Sequence, residues 1–153
     1  MIDRFNVRVY FLLEDSEKGI LVSDEIIKGE QYTKFPGGGL EFGEGTIECC
    51  EREAMEELGQ EIRVLAHHHT TDFFVQSRFY ASDQVLAIYY RAELKEPPTF
   101  RQATEAFAFE SRIEGEESFR WVRWEELNES IFSFPTDRSA VSKLIRERTQ
   151  DAS

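Results

Sequence analysis

The chain has 153 residues, which is one domain by the usual size range and enough to bury a hydrophobic core without staples. Its net charge of −12 argues against a nucleic-acid polymer or a membrane as the main partner, because both contacts depend on basic surface. The two cysteines are adjacent, a poor geometry for a disulfide, and residues 1–19 contain no apolar run of signal-peptide length. We therefore expect a single domain over residues 1–153, with free thiols, in the cytoplasm.

The first part of the chain has the composition of strands. Aromatic and β-branched residues fill 5–14 and 20–27, and the polar turn between these runs predicts a hairpin. Gly29 and Glu30 end the second strand, and a short strand over 31–35 follows. Residues 36–39 are a proline and three glycines, a composition that predicts a loop.

A helix is predicted from 46 to 58. Four apolar residues recur there at the spacing of one helix face: Ile47, Cys50, Ala54 and Leu58. Thr46 suits the N-cap, and Gly59 stands where a helix takes a left-handed C-cap.

The other face of this helix carries carboxylates. Glu53, Glu56 and Glu57 lie at i, i+3 and i+4, so their like charges crowd together. Mg²⁺ or Mn²⁺ would relieve this repulsion, since hard divalent cations accept carboxylates, water and phosphate as ligands. Arg52 can reach Glu56 and hold part of the array. An ordinary solvated face would not explain why the acids share one side beside three glycines.

The rest of the chain alternates strands with irregular segments. Strands are expected over 62–76, 84–94 and 119–124, with 95–118 irregular between the last two. A short helix is expected over 125–130, and a terminal helix over 136–150 is capped by Thr136 or Asp137. Strands flanking two helices indicate a mixed α/β (α+β) layered fold. Strand alternation places His67 and His69 on one face and His68 on the other, so the three cannot share a metal ion.

Residues 38–60 resemble the signature of the Nudix hydrolase family, and of its MutT-like members in particular. Seven residues match its fixed positions and spacing: Gly38, Glu44, Arg52, Glu53, Glu56, Glu57 and Gly59. Two departures concern packing: Ala54 is small for its apolar position, and Gln60 stands where the family usually has an aliphatic residue, a role that Ile62 can fill. The signature covers only about 15% of the chain.

The resemblance implies a fold and an activity. The fold is the Nudix α/β/α sandwich, with a mixed, partly closed sheet and the signature loop and helix. The activity is divalent-metal-dependent hydrolysis of a phosphoanhydride bond in a nucleoside diphosphate linked to another group. Mg²⁺ or Mn²⁺ would be held by the three glutamates of the helix face and by a backbone carbonyl of Gly37 or Gly38, while Glu44 and Arg52 would orient these ligands.

The general base stays open between two kinds of residue. In some family members it is a signature glutamate, here Glu53 or Glu57. In others it is an acid on a distant loop, and the 105–117 segment offers Glu116 and Glu117, which directly precede the last predicted strand.

The substrate is expected to be a small nucleotide. The downstream signatures of coenzyme A and ADP-ribose members are absent from the sequence, which favours a MutT-like nucleoside triphosphate pyrophosphohydrolase over a nucleotide-sugar or dinucleotide pyrophosphatase. The expected substrate contacts are Lys34, Gly37, Gly39, Arg78 and Phe74, with Arg8, Phe35, Phe73, Phe79 and Tyr80 as further candidates. A non-catalytic ligand-sensing module is the alternative from another class, and a homodimer is a further expectation.

Overall fold

The computed structural model describes residues 1–152, which form eight strands and two α-helices. The elements in chain order are β1 (Arg4–Asp15), β2 (Gly19–Ile27), β3 (Glu30–Lys34), β4 (Gly37–Gly39), α1 (Thr46–Leu58), β5 (Ile62–Thr70), β6 (Asp83–Leu94), β7 (Gln102–Ala103), β8 (Glu117–Val122) and α2 (Pro135–Ala152). Two short 3-10 helices, Trp124–Glu126 and Glu129–Ile131, precede α2. The lengths and hydropathy of the described helices leave none that could cross a membrane.

The strands form one mixed sheet in the order β5-β6-β1-β2-β8-β7, with β4 added to β1 and β3 added to β2. The β1–β6 and β7–β8 pairs are parallel and the others are antiparallel. The sheet is open, so it is mixed as expected but not closed. The predicted hairpin is short: β1 and β2 pair only near the turn, at Glu14–Ile20 and Asp15–Gly19, before β1 turns to β6.

Two cores lie on opposite faces of the sheet, because alternate residues of β1 point to opposite sides. Leu12 packs on the α2 side with Ala140 and Leu144, whereas Phe11 packs on the α1 side with Ala54. Both helices thereby cover one face each, which confirms the expected α/β/α sandwich.

The predicted helix is confirmed as α1, with two local corrections. Ile47, predicted to be buried, is 48% exposed. Cys49 takes its place on the buried face beside Cys50, so this face is rotated about the helix axis relative to the prediction. Thr46 is not the N-cap: Gly45 holds that position, and the Glu48 carboxylate accepts a hydrogen bond from its N–H at 3.0 Å. The C-cap prediction is right, since Gly59 has a φ of 68°.

Several predicted boundaries are wrong for identifiable reasons. Residues 37–39 are not a loop but strand β4, because their backbone pairs with β1 at Arg8, Val9 and Tyr10. The strand predicted over 62–76 ends at Thr70, the last strand starts earlier at Glu117, and the short helix over 125–130 is two separate 3-10 turns.

The histidine alternation expected in β5 is broken by shifts of register between Val64 and Ala66 and between His67 and His69. His68 and His69 consequently both contact α2. The His68 Nε2–H donates to the Ala140 carbonyl at 2.8 Å, and His69 Nε2 lies 2.8 Å from the Ser139 hydroxyl. These histidines fasten β5 to the helix.

The start of α2 is built differently from the prediction. The helix begins at Pro135, a favoured first residue, so neither Thr136 nor Asp137 is its cap. Asp137 is buried and accepts a hydrogen bond from the Tyr89 hydroxyl at 2.6 Å. Burial raises the pKa of Asp137 to about 7, although the Tyr89 hydrogen bond opposes this rise.

The raised pKa of Asp137 predicts a pH-dependent stability. A carboxyl whose folded pKa lies above its unfolded value stabilises the fold at low pH, and this contribution is lost as pH rises towards about 7. We expect Asp137→Asn to remove this loss. The difference in free energy of unfolding, variant minus wild type, should therefore increase between pH 4 and 7 by up to about 1.4 kcal/mol per pH unit. Urea unfolding at several pH values checks this, with Asp3→Asn on the surface as the control. A gap that does not change with pH would contradict the assignment.

Candidate active site

The site is built where β4 lies against α1. A Cβ atom added at Gly38 would come within 2.3 Å of Glu53 Oε1, a distance that no side chain tolerates. Glycine at 38 lets Glu53 keep the position in which Arg52 holds it, because a side chain at 38 would push this carboxylate away. The fixed glycine of the signature has this physical reason.

Arg52 holds the carboxylates of the site together. Its guanidinium grips Glu44 through two hydrogen bonds, Nε–Oε2 at 2.9 Å and Nη2–Oε1 at 2.8 Å. Its Nη1 donates to Glu53 Oε1 at 3.0 Å and to Glu56 Oε2 at 3.1 Å, and Nη2 donates to the Gly39 carbonyl at 3.0 Å. The hydrogen bonds from Arg52 lower the pKa of Glu44 to about 2. Glu44 thus anchors an arginine that fixes two further glutamates.

Glu57 points into the interior. Its Oε2 atom is buried and has no hydrogen-bond partner, and burial raises the pKa of Glu57 to about 9 against the opposing charge of Lys34. A buried carboxylate oxygen without a partner is costly, so such an atom marks a place where a ligand is missing or a proton is held.

A buried cation lies beside Glu57. Lys34 Nζ is 3.2 Å from Glu25 Oε1 and 3.9 Å from Glu117 Oε2. Glu117 also accepts a hydrogen bond from the Ser23 hydroxyl at 2.7 Å. Burial alone would lower the pKa of Lys34, but the carboxylates of Glu57, Glu117 and Glu25 raise it, so Lys34 stays charged.

The two loop acids proposed from the sequence, Glu116 and Glu117, lie in different surroundings. Glu117 begins β8 and joins the Lys34 cluster, whereas Glu116 faces away from it. Glu116 accepts hydrogen bonds from the backbone N–H groups of Glu110, Ser111 and Ile113. Although desolvation alone would raise the pKa of Glu116, these amides lower it. Glu116 therefore organises the 110–116 turn.

The fit of the carboxylates to a metal ion rests on one atom. Within residues 1–152, no three carboxylate, imidazole or thiolate groups form a cluster ready to hold a metal. Oxygen ligands are nevertheless the kind that Mg²⁺ and Mn²⁺ take, and Glu57 Oε2 is a buried oxygen that lacks a partner. The chemistry of the donors thus suits a hard divalent cation.

A cavity of about 640 Å³ opens next to the glutamates. Lys34 and Glu25 connect the two, because both line the cavity and interact with the Glu57 cluster. Of the lining residues in the described part of the chain, four are basic and two are acidic: Arg8, Lys28, Lys34 and Arg78, with Glu25 and Glu114. A positive cavity in a protein of net charge −12 indicates an anionic ligand.

The aromatic residues expected at the site divide into three groups. Phe79 and Tyr80 line the large cavity, as does Arg78. Phe35 is fully buried in the α2-side core. Phe73 and Phe74 line a separate cavity of about 330 Å³, so the structure does not bring Phe74 to the glutamates.

Two glycines expected to contact substrate also differ in position. Gly37 is buried in the ladder opposite Tyr10, where its φ of 148° and the nearby Val9 carbonyl exclude a side chain. Gly39 is partly exposed and lies against Arg8.

Sequence reasoning missed Phe134 of the cavity wall and Tyr32, which packs against it. Phe134 stacks on Tyr32 with ring centroids 5.2 Å apart, and Phe79 meets Tyr32 edge-on at 5.5 Å. Tyr32 lies in a predicted strand and Phe134 just before a predicted helix, so nothing local marked either one. Only the pairing of β3 with β2, and the return of the chain to α2, bring them together.

An open sheet between two helices, with a carboxylate-bearing helix clamped onto a glycine strand, defines a class of hydrolases that act on pyrophosphate bonds. The family model described as NUDIX domain matches residues 4–144, and the chain belongs to this family.

Solved structures share the fold. A NUDIX hydrolase from Nitrosomonas europaea has a TM-score of 0.69 and 18% identity, over 94% of this chain and 90% of its own. The MutT protein from Methanosarcina mazei Go1 has a TM-score of 0.68 and 17% identity, over 97% and 98% of the two chains. A UDP-X diphosphatase has a TM-score of 0.58 and 17% identity, over 99% of this chain and 65% of that one.

Proposed function

We propose that the protein is a cytoplasmic nucleoside triphosphate pyrophosphohydrolase that works with Mg²⁺ or Mn²⁺. The observation that carries this proposal is the positive cavity beside a cluster of carboxylates in an otherwise acidic protein. Phosphate groups need cations around them, and the bond to be cleaved needs metal ligands close by. The basic residues of the cavity supply the cations, and the glutamates supply the metal ligands. The cavity is also large enough for a small nucleotide.

The metal would be held by Glu53, Glu56 and Glu57, with a backbone carbonyl of Gly37 or Gly38 as a further ligand. When bound, it neutralises phosphate charge and makes the attacking water more acidic. Arg52 keeps Glu53 and Glu56 in place, and Glu44 fixes Arg52 from behind.

Glu57 is proposed as the residue that takes the proton of the attacking water. Its carboxyl lies beside the buried Lys34, whose positive charge favours the ionised form that a base needs. Glu117 is the second choice, because it belongs to the same cluster but its Oε2 is already bonded to Ser23.

The far wall of the cavity is proposed to receive the nucleoside. Arg78 Nε donates to the Tyr32 hydroxyl at 3.2 Å, with the guanidinium over the Tyr32 ring at 5.4 Å. This ordered arginine and the ring of Phe79 offer a flat surface and a charge to a base or an outer phosphate. Lys34 is proposed to stay with its carboxylates and to balance their charge near the substrate.

A substrate panel tests the proposal. The protein is incubated with Mg²⁺ or Mn²⁺ and with nucleoside triphosphates, dinucleotides and nucleotide sugars, and the released phosphate and pyrophosphate are measured. Pyrophosphate from triphosphates is the expected result. Cleavage of dinucleotides or sugar conjugates alone would keep the mechanism and change the substrate. Tight binding of one compound without any cleavage would identify a sensor.

A further inference from the structure

Arg8 occupies a distinctive position between the glycine strand and the cavity. It lies on β1 directly opposite Gly39, and its Nη1 atom is 3.4 Å from where a Cβ of residue 39 would stand. The corresponding space beside Gly38, one residue earlier on β4, is filled by the Glu53 carboxylate. Arg8 therefore lines the end of the cavity that adjoins the site carboxylates.

The guanidinium of Arg8 is fixed from one side only. Its Nε donates to the Tyr10 hydroxyl at 3.2 Å, and its Cζ lies 5.8 Å from the centre of the Tyr10 ring. Tyr10 is itself held by stacking on Tyr89, at 5.2 Å and 25°, and Tyr89 donates to the buried Asp137. This arrangement engages Nε and leaves the two Nη groups, the pair that grips an oxyanion, without a protein acceptor among the described hydrogen bonds.

Two other shielded basic side chains of the described chain have carboxylate partners. Lys34 pairs with Glu25, and Arg120 pairs with Asp24 at 2.7 Å. No carboxylate of residues 1–152 lies within 4.0 Å of Arg8. The carboxylates of Glu53 and Glu25 interact with Arg8 at longer range, whereas its hydrogen-bond partner is the neutral Tyr10 hydroxyl, so its two Nη groups stay available to an anion.

We propose that Arg8 binds the non-bridging oxygens of the substrate phosphate nearest to the glutamates, and that Tyr10 is the positioning residue that aims it. This inference rests on the proposed function, since it assigns a residue to the same site. The ligand class is a pyrophosphate group carried by a nucleotide. The planar fork of arginine matches a phosphate edge through two hydrogen bonds, a geometry that lysine does not reproduce.

Kinetics of three variants test the assignment. Arg8→Lys keeps the charge and Arg8→Gln removes it; we expect both to lower kcat/KM by about a hundredfold or more, as for loss of one donor to a developing charge. Tyr10→Phe keeps the ring and removes the hydroxyl, so we expect KM to rise about fivefold with a smaller change in kcat. The matched control is Arg4→Lys on the same strand, where the side chain is 67% exposed and pairs with Asp83.

Binding of inorganic pyrophosphate with Mg²⁺, measured by calorimetry, separates this proposal from the proposed function. We expect the wild type and Arg4→Lys to bind it and Arg8→Lys to bind it at least about tenfold more weakly. If the wild type cleaves no nucleotide but shows this binding pattern, the proposed function is wrong and the assignment of Arg8 as a phosphate ligand is supported. If the wild type cleaves triphosphates while Arg8→Lys keeps kcat/KM and pyrophosphate affinity within twofold, Arg8 is not a phosphate ligand. Thermal unfolding of each variant ensures that only folded protein is compared.

Discussion

Replacing Glu57 with glutamine is expected to lower kcat by about a thousandfold and at the same time to stabilise the folded protein. Activity falls because glutamine cannot take a proton and is a weak metal ligand. Stability rises because the substitution removes a carboxyl whose Oε2 is buried without a partner. The two effects together distinguish a functional carboxylate from one that supports the fold.

The stability effect has a defined pH dependence. Burial raises the pKa of Glu57 to about 9, above its unfolded value, so its contribution is most favourable at low pH and declines as pH rises towards about 9. Glutamine does not titrate. The difference in free energy of unfolding, Glu57→Gln minus wild type, should therefore increase between pH 5 and 8, by at most about 1.4 kcal/mol per pH unit. Urea unfolding at these pH values measures the gap.

The control for Glu57→Gln is Glu51→Gln. Glu51 lies on the same helix with an exposed side chain, and the change in charge is the same. Its variant should keep the wild-type kcat. If Glu57→Gln turned over at the rate of Glu51→Gln, Glu57 would have no part in the reaction.

Arg52→Lys is expected to lower kcat by about a hundredfold although the charge is kept. Lysine has one nitrogen, so it cannot grip Glu44 through two hydrogen bonds and also reach Glu53 and Glu56. We also expect the variant to need a higher Mg²⁺ concentration for half-maximal activity, because the carboxylates would no longer be held in place for the metal. Activity measured across a Mg²⁺ titration checks both effects.

Arg63→Lys is the matched control for Arg52. Arg63 forms a surface ion pair with Glu93 at 2.8 Å, and such exposed pairs contribute little. Its variant should match the wild type in kcat and in the Mg²⁺ titration. Wild-type activity and metal dependence in Arg52→Lys would show that the clamp does not organise the site.

The parts of the fold that were predictable are those with a local cause. Helix α1 was found because its apolar spacing, its acids and Gly59 all lie within one stretch, and its bounds match the structure. The strand runs in β1, β2 and β6 were found from their aromatic and β-branched residues. The contact of Arg52 with Glu56 follows from their spacing of four residues.

The parts that were missed depend on residues distant in the chain. Three glycines read as a loop, yet β1 supplies hydrogen-bond partners that turn them into a strand. Phe74 resembled a base-stacking residue, but the course of the chain after β5 places it in another cavity. The partners of Lys34 come from β2 and β8, so no short-range pattern could reveal that this lysine balances buried carboxylates.

The most direct test of the central claim follows a nucleoside triphosphate by phosphorus NMR in the presence of Mg²⁺, with wild-type protein and with Glu57→Gln. The account predicts that the wild type converts the triphosphate to a monophosphate and pyrophosphate, and that Glu57→Gln, folded and at the same concentration, leaves it almost intact. A triphosphate that persists with wild-type protein and with either Mg²⁺ or Mn²⁺, or equal conversion by both proteins, would contradict it.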